Sequence, residues 1–285
     1  MPTPSCWVDM AMDNRIDDAI AWWKTGIIDI APGKIDIRGR PIAELIGTIS
    51  FSQMIWLMLR AEMPTPQQAA LLEAALVASV DHGPQAPSIA VARMAATCGV
   101  GLNNAVASAV NVLGDVHGGA GQDCLSLYQA IAARIDGGET LGDALSTEVG
   151  GRLGKKEHIP GFGHRFHPID PRAPVLLKLV EDAKAAGVVS GRFAEIGMAV
   201  ETFISQTKGR TVPMNIDGAT AIIFGELGFA APLARGLFIL SRSVGILAHA
   251  WEQTQQGGRI KGPMPPSIPF TYTGPATVSK TGGET

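Results

Sequence analysis

Apolar residues recur at helical spacing along most of this chain, in long segments that are separated by short breaks rich in glycine and proline. Strands would need alternating apolar residues in runs of only about four to eight, so the pattern predicts an all-α fold. Alanine is frequent in the segments, which suits close packing between helices. The predicted helices span residues 46–62, 65–80, 88–98, 102–113, 122–135, 140–153, 171–186, 191–208, 218–227 and 232–256.

A short hairpin near the N-terminus is the exception to the helical pattern. The stretch IIDIAPGKIDIRG, residues 27–39, alternates apolar and polar residues on both sides of a Pro-Gly turn. So few strands exclude a Rossmann sheet. A break between two predicted helices at Gly187–Gly191 indicates the edge of a small helical domain beside a large one.

Size and charge limit the possible classes of protein. The chain has 285 residues, 46% of them hydrophobic, which is enough for the core of one large domain or of a large and a small one. A formal net charge of −3 at pH 7 argues against a nucleic-acid partner. Cys6, Cys98 and Cys124 have neither metal-ligand nor redox spacing, and their odd number fits a reducing cytoplasm, where we expect the protein.

We expect neither an export signal nor a membrane segment. The N-terminal sequence lacks the basic region and the apolar run of a signal peptide. The longest apolar stretch, Ala230–Trp251, is interrupted by Arg235, Arg242 and His249, which disfavours a membrane span.

The stretch GFGHRFHPIDPR, residues 161–172, has a composition that neither a helix nor a strand favours. Its glycines permit backbone angles closed to other residues, and its prolines remove amide donors. We therefore expect a shaped loop that holds imidazole and guanidinium groups in place.

Histidines are the first candidates for chemistry, because four of the six lie at predicted helix ends or in loops among glycines and prolines. Any single such histidine is more often structural than catalytic, but the Gly-Gly pair after His117 lets the backbone approach a ligand. His158, His164 and His167 do not have the spacing of a helical zinc motif, and no cysteine or acidic cluster completes a ligand set. We expect no metal site.

Two further features leave alternatives open. Asp217 precedes an apolar helix in PMNIDGATAII, where it serves either as the N-cap or as a general base. Arg235, Arg242 and His249 follow one another at intervals of seven and lie on nearly the same face of the last helix. That helix is apolar all round, so Arg242 needs an anionic partner, which a bound carboxylate would supply.

A series of motifs resembles the citrate synthase superfamily, and within it the citryl-CoA lyase module of ATP-citrate lyase. In chain order the motifs are PGKIDIRGRPIAELI, DHGP, HGGAG, GFGHRFHPIDPRAP, NIDGATAII and SRSVGILAHAWEQ. The resemblance implies an all-α, citrate synthase-like fold with a large helical domain, a small helical domain and the N-terminal hairpin. The implied domains are residues 1–160 for the first part of the large domain, 161–215 for the small domain with the GFGHR loop, and 216–285 for the return to the large domain and the C-terminal tail.

The same resemblance implies a carbon–carbon bond reaction on a CoA thioester. His164 would hydrogen-bond the oxaloacetate carbonyl, which is the citryl hydroxyl in the other direction. Asp217 would exchange a proton with the acetyl methyl carbon, and His117 would donate a hydrogen bond to the thioester enolate oxygen. A placed donor and a placed carboxylate are needed together, because such an enolate is too basic to form free in water.

Further residues are implied as ligands of the substrate and of CoA. Arginine forks suit a tricarboxylate, and the implied carboxylate ligands are His82, Arg165, Arg172 and Arg242. The implied CoA contacts are the backbone of Gly161, Phe162 and Gly163, with Lys155 and Lys208 at the phosphates.

The resemblance thus predicts a citryl-CoA lyase-like enzyme that reversibly cleaves citryl-CoA to acetyl-CoA and oxaloacetate. It implies a CoA thioester as substrate, no permanently bound cofactor, and a homodimer or higher homo-oligomer in the cytoplasm. The alternatives are a citrate or 2-methylcitrate synthase, which condenses an acyl-CoA with a 2-oxo acid, and a non-catalytic acyl-CoA-binding homologue. Gly262 stands where the family has an arginine, so either Arg259 or Lys261 replaces it or one carboxylate contact is lost, and the 2-oxo acid stays open.

Overall fold

The structure is a computed structural model that describes residues 15–163 and 168–276. Helices dominate these residues, which confirms the predicted all-α fold. Residues 15–22 are helical. The helices that follow are α1 (Ile42–Leu45), α2 (Phe51–Arg60), α3 (Pro66–Ser79), α4 (Pro87–Ala96), α5 (Leu102–Val110), α6 (Ala120–Asp136), α7 (Leu141–Leu145), α8 (Gly151–Gly154), α9 (Arg172–Ala185), α10 (Arg192–Lys208), α11 (Ile216–Glu226) and α12 (Ala231–Gln256), with a π-helical turn, Ser146–Gly150, between α7 and α8.

The predicted hairpin is confirmed, and it continues into a third short strand. The strands are β1 (Ile28–Ala31), β2 (Lys34–Ile37) and β3 (Arg40–Pro41), and neighbours in this order pair antiparallel. The register places Ala31 opposite Lys34, so Pro32 and Gly33 form the turn. The φ angle of Gly33 is 79°, a value that a tight hairpin turn requires and glycine adopts readily.

Side-chain caps set where two helices begin. Ser50 and Gln53 form a reciprocal capping box, so the helix predicted from residue 46 begins instead at Phe51. Thr65 and Gln68 exchange the same pair of hydrogen bonds, 2.9 and 3.2 Å long, at the start of α3. The predicted start of that helix, a capping threonine followed by proline, is confirmed.

The chain divides into two compact units. Unit 1 comprises the described residues within Met1–Ser79 and Ala120–Phe238, and unit 2 comprises those within Val80–Gly119 and Ile239–Thr285. The described residues of the range 161–215 lie within unit 1. The three segments that the resemblance implies, 1–160, 161–215 and 216–285, stay a prediction.

The core of unit 1 surrounds α11, in which nearly every residue after Asp217 is buried. Helices α3, α6, α9 and α10 pack against it. The far end of α11 also caps α10, because the Glu226 carboxylate accepts hydrogen bonds from the amides of Gly191 (2.9 Å), Phe193 (2.7 Å) and Ala194 (3.3 Å) and from the hydroxyl of Ser190 (2.9 Å). The two helices are thereby joined at the end of α11 that is opposite Asp217.

Helix α12 begins in unit 1 and ends in unit 2. By length and composition alone it is long and apolar enough to cross a membrane, and it is the one helix in the described ranges that passes this test. A core helix of a globular protein passes the same test, and Ala231, Ala234 and Leu237 of α12 are buried in the core of unit 1. The length and composition of α12 are therefore weak evidence for a membrane span.

Candidate active site

Two loop segments pair with each other directly before Asp217. The amide of Gly163 donates to the carbonyl oxygen of Pro213 at 2.7 Å, and the amide of Asn215 donates to that of Gly161 at 3.0 Å. The Asn215 side chain adds a bond from Nδ2 to the carbonyl oxygen of Gly163, 2.7 Å long. Residues 161–163 are thereby fixed to the chain that leads into α11.

Helix α10 holds the same chain segment by side-chain acceptors. The Val212 amide donates to Oγ of Ser205 at 3.0 Å, and the Met214 amide donates to Oε2 of Glu201 at 3.0 Å. Because backbone groups make these bonds, they fix the path of the main chain before α11 whatever its side chains do.

Asp217 is the second residue of α11, and the N-cap of that helix is Asn215. Oδ1 of Asn215 accepts hydrogen bonds from the amides of Asp217 (2.9 Å) and Gly218 (3.4 Å). The interpretation of Asp217 as the cap is therefore wrong. Its half-buried carboxylate lies beside the start of α6, since a β-carbon built on Gly121 would be 3.8 Å from Oδ1 of Asp217.

Gly161 lies so close to α6 and α11 that a side chain does not fit. A β-carbon there would be 2.5 Å from Sγ of Cys124 and 2.9 Å from Cα of Gly218, and the φ angle of Gly161 is 86°. Burial raises the pKa of the Cys124 thiol, a hydrogen bond with Tyr128 opposes this, and the negative charge of Asp217 raises the pKa further. The thiol beneath the loop is therefore neutral at physiological pH.

Asp170 joins the first residues of two helices. Its buried carboxylate accepts from Nε and Nη2 of Arg172, at 2.9 and 2.8 Å, and from the Ile216 amide at 3.1 Å. Burial acts to raise the pKa of Asp170, but these hydrogen bonds and the charge of Arg172 outweigh it and lower the pKa to about 2. Arg172, a predicted substrate ligand, is thus paired inside the chain with an ionised carboxylate.

In unit 2 the ring of His117 has a defined protonation pattern. Nε2 lies 3.2 Å from the amide nitrogen of Ser88 and 3.0 Å from its hydroxyl oxygen. A backbone amide can only donate, so Nε2 is the acceptor and the proton of the neutral ring is on Nδ1. Burial, followed by the charge of Arg242, lowers the pKa of His117. His117 is therefore a neutral hydrogen-bond donor through Nδ1, and Arg242 is 5% exposed and close enough to influence it.

The loop of His82 is fixed to α12 by its neighbour Asp81. Oδ2 of Asp81 accepts from the Gly83 amide at 3.1 Å and lies 3.3 Å from Nε2 of His249. Nδ1 of His249 lies 3.3 Å from Nη1 of Arg93, which can only donate, so Nδ1 is the acceptor. Nε2 of His249 therefore carries the proton and donates a hydrogen bond to Asp81. His82 itself is exposed.

The predicted CoA contacts differ in exposure. Gly161 and Phe162 are buried, whereas Lys155 and Lys208 are exposed. The Phe162 ring packs edge-on against Tyr128, with ring centroids 6.5 Å apart. Its side chain is therefore part of the core.

The structure brings the predicted residues together in two sets. Gly161, Gly163 and Asp217 meet in unit 1, where Arg172 is connected to them through Asp170, and His117 and Arg242 meet in unit 2. His164 and Arg165 lie outside the described residues. Lys155 and Lys208 are exposed and, among the described residues, form no hydrogen bond with either set. All the predicted roles stay predictions.

Sequence reasoning missed three residues that position others. Asp170 was visible only as part of DPR, and Asn215 only as the residue before Ile216-Asp217. Ser88 carried no signal at all, because its partner His117 is 29 positions away.

Comparisons with known proteins agree on one family. The profile of the citrate synthase C-terminal domain matches residues 58–263. The solved structure of citryl-CoA lyase from Hydrogenobacter thermophilus is similar with a TM-score of 0.78 and 32% identity, over 90% of this chain and 97% of that chain. ATP citrate lyase from Methanothrix soehngenii, solved with citrate and coenzyme A, has a TM-score of 0.74 and 22% identity, over 88% of this chain and 42% of that one, which shows a shared fold.

The curated relatives include citrate synthases of greater length. That of Haloferax volcanii is 29% identical over 229 residues, which is 79% of this chain and 57% of the relative. That of Acidithiobacillus ferridurans is 28% identical over 255 residues, 88% of this chain and 61% of the relative. The chain thus spans about three fifths of the curated relatives' length.

Replacing Gly161 by alanine should destabilise unit 1 more than replacing Gly163. Both residues have positive φ angles, 86° and 80°, which cost an alanine about 1–2 kcal/mol. Only at Gly161 does the new β-carbon also collide with Cys124 and Gly218, whereas at Gly163 its nearest neighbour is 3.7 Å away. We expect Gly161→Ala to lose about 1–3 kcal/mol more than Gly163→Ala in denaturant unfolding. Equal losses would contradict the close packing described for the loop.

The Asp170 carboxylate should make stability depend on acid pH. Its folded pKa, about 2, lies below the ordinary value of 3.8, so its contribution is complete above the ordinary value and disappears as the pH falls through about 2. The shift corresponds to about 2 kcal/mol. Between pH 6 and pH 2, the difference in melting temperature between the protein and its Asp170→Asn variant should therefore shrink. A difference that does not change with pH would show that Asp170 is not ionised in the fold.

Proposed function

Since the chain belongs to the citrate synthase family, we propose that it is a citryl-CoA lyase, which cleaves citryl-CoA to acetyl-CoA and oxaloacetate. The observation that carries the proposal is the similarity to a solved citryl-CoA lyase, with a TM-score of 0.78 and 32% identity over 90% of this chain and 97% of that one.

The proposed reaction divides among three groups. His164 accepts the proton of the citryl hydroxyl as that oxygen becomes the carbonyl of oxaloacetate. The electron pair of the breaking carbon–carbon bond moves into the thioester, whose oxygen becomes an enolate that His117 stabilises. Asp217, protonated at that stage, then donates its proton to the methylene carbon and yields the acetyl methyl group. The condensation direction uses the same steps in reverse.

The protonation pattern of His117 supports its proposed role. A neutral imidazole with its proton on Nδ1 donates a hydrogen bond without adding a full charge, and burial together with Arg242 keeps the ring neutral by lowering its pKa. Ser88 fixes which nitrogen carries the proton, because its backbone amide occupies Nε2. The enolate oxygen would then accept a hydrogen bond from the N–H group at Nδ1.

Carboxylate recognition is proposed for His82, Arg172 and Arg242, with Arg165 as a further ligand. Arg242 is buried, and Arg172 is oriented by Asp170, so both guanidinium groups have restricted positions. Such restriction reduces the entropy lost on binding a tricarboxylate.

CoA is proposed to contact the backbone of residues 161–163 and the exposed cations Lys155 and Lys208. Both lysines lie at helix ends in unit 1, after α8 and at the end of α10. An exposed ammonium group is a compact point charge, which suits a phosphate group.

Homo-oligomerisation and a cytoplasmic location belong to the same proposal. Leu240, Val244, Leu247 and Trp251 recur at intervals of three or four along α12 and are 48%, 60%, 48% and 55% exposed. Such an apolar stripe supports a homodimer or a higher homo-oligomer, which would cover it.

The second candidate function is that of a citrate synthase, and it is favoured because both curated relatives described above are citrate synthases. A synthase also hydrolyses the citryl-CoA thioester. Where the family has an arginine, this chain has Gly262, and the exposed Arg259 and Lys261 flank Ile260, whose amide is bonded to the carbonyl oxygen of Thr97 at 3.0 Å. One carboxylate contact thus depends on a replacement cation, so we propose that thioester hydrolysis is poor.

The assay that tests the proposal supplies the purified protein separately with citryl-CoA and with acetyl-CoA plus oxaloacetate. A lyase releases oxaloacetate and acetyl-CoA from the first, without free thiol, and forms little citrate from the second. Efficient formation of citrate and free CoA would make the protein a synthase instead. Inactivity on both, with CoA thioesters still bound, would favour the non-catalytic homologue.

Substitutions at the described catalytic candidates should separate chemistry from folding. We expect Asp217→Asn and His117→Ala each to lower turnover of citryl-CoA at least about a hundredfold, because each removes a group that acts on the enolate. Circular dichroism should remain that of the unaltered protein. His158→Ala, at an exposed histidine without an assigned role, is the control and should keep normal turnover. Normal turnover in folded Asp217→Asn would remove Asp217 from the mechanism.

A further inference from the structure

We propose that Asp170 is a positioning residue for the reaction, which aligns the guanidinium of Arg172 and the start of the Asp217 helix with one carboxylate. The inference rests on the proposed function, because it concerns the residues assigned there to carboxylate binding and to proton transfer. It assigns to Asp170 no contact with the substrate.

Both oxygens of Asp170 are used inside the chain. Oδ1 accepts from the backbone amide of Arg172 at 3.1 Å and from its Nε at 2.9 Å. Oδ2 accepts from Nη2 of Arg172 at 2.8 Å and from the amide of Ile216 at 3.1 Å. Asp170 is 0% exposed, so water does not compete for these bonds. One side chain thus connects the first residue of α9 with the first residue of α11.

The pairing leaves Arg172 with a definite edge for a ligand. Asp170 takes the edge formed by Nε and Nη2, and Nη1 donates to the carbonyl oxygen of Ala78 at 3.3 Å. Within the described part of the chain, these contacts use three of the five N–H bonds of the guanidinium. The remaining two, on Nη1 and Nη2, suit a carboxylate, and the Arg172 side chain is 23% exposed.

The same carboxylate fixes the main chain at Asp217. The Ile216 amide is held by Asp170, and the next amide, of Asp217, is held by Oδ1 of Asn215 at 2.9 Å. Two consecutive peptide groups are therefore oriented by side chains from outside α11. A displacement of a reacting group by about 1 Å can lower the rate about a hundredfold, so loss of the Asp170 bond should reduce catalysis.

A purely structural role would predict a different outcome. If Asp170 were only structural, Asp170→Asn would lower the melting temperature and leave kcat and KM unchanged. Glu226 provides the comparison within unit 1, since its carboxylate also accepts four hydrogen bonds at a helix start. Its partners include neither an arginine nor the segment before Asp217, and it lies at the other end of α11.

The test compares Asp170→Asn with the matched variant Glu226→Gln. Each exchange keeps the shape of the side chain and replaces one carboxylate oxygen by an NH2 group. The NH2 group can only donate, so a partner N–H or O–H group loses its acceptor. We expect Asp170→Asn to lower kcat for citryl-CoA cleavage about 10- to 100-fold and to raise KM several-fold. Glu226→Gln should lower only the melting temperature. Asp170→Asn with unchanged kcat and KM in an active wild-type background would overturn the inference alone.

A double-mutant cycle identifies the route through Arg172. If Asp170 acts by orienting Arg172, then Asp170→Asn should raise KM less in an Arg172→Lys background than in the unaltered protein. Additive effects on KM would overturn that part of the inference. A wild-type protein inactive on citryl-CoA and on acetyl-CoA plus oxaloacetate would instead refute the proposed function, and the positioning role with it.

Should Asp170→Asn fail to fold, hydrogen exchange decides with the wild-type protein and Arg172→Lys. Oxaloacetate should slow exchange of the amides of residues 215–218 in the wild type, because carboxylate binding by Arg172 is transmitted through Asp170 to the start of α11. That protection should be lost in Arg172→Lys. The same protection in both proteins, or none in either, would overturn the inference.

Discussion

The backbone pairing between Gly161–Gly163 and Pro213–Asn215 is the interaction on which the candidate site depends. It fixes the residue that precedes His164 to the segment that precedes Asp217, with bonds of 2.7 and 3.0 Å. The pairing needs a loop that reaches the main chain of α11, and only glycine at position 161 permits this beside Cys124 and Gly218. Supports from α10 and Asp170 then restrain the same segment. The geometry of the site is therefore largely a property of the main chain.

How much of this could be predicted depended on how local each signal is. Helical periodicity, the Pro-Gly hairpin turn and the Thr65 cap arise from neighbouring residues, so the sequence predicts them well. The role of Asp170 depends on Ile216, 46 positions away, and that of Ser88 depends on His117, 29 positions away. Neither role can therefore be predicted from a local sequence pattern. Asp217 was ambiguous for the opposite reason: aspartate is a good cap, and only the structure shows that Asn215 has that task.

Each of the two units, taken by itself, contains preorganised polar groups. Unit 1 contains Asp217, the neutral thiol of Cys124 beneath the neighbouring loop, and the guanidinium of Arg172, which is oriented by the ionised carboxylate of Asp170. Unit 2 supplies a neutral imidazole whose proton is placed on Nδ1 by a backbone donor. Both arrangements prepare hydrogen-bond donors before the substrate arrives, and such preorganisation is a large contribution to the stabilisation of enolates and other developing anions.

The most direct test of the central claim is solvent deuterium exchange into the methyl group of acetyl-CoA, followed by NMR in the presence of oxaloacetate. The account predicts exchange that depends on oxaloacetate and that is much faster than the appearance of citrate. This result would show reversible proton transfer at the acetyl methyl carbon without thioester hydrolysis. An absence of exchange, or exchange no faster than the formation of citrate and free CoA, would contradict it.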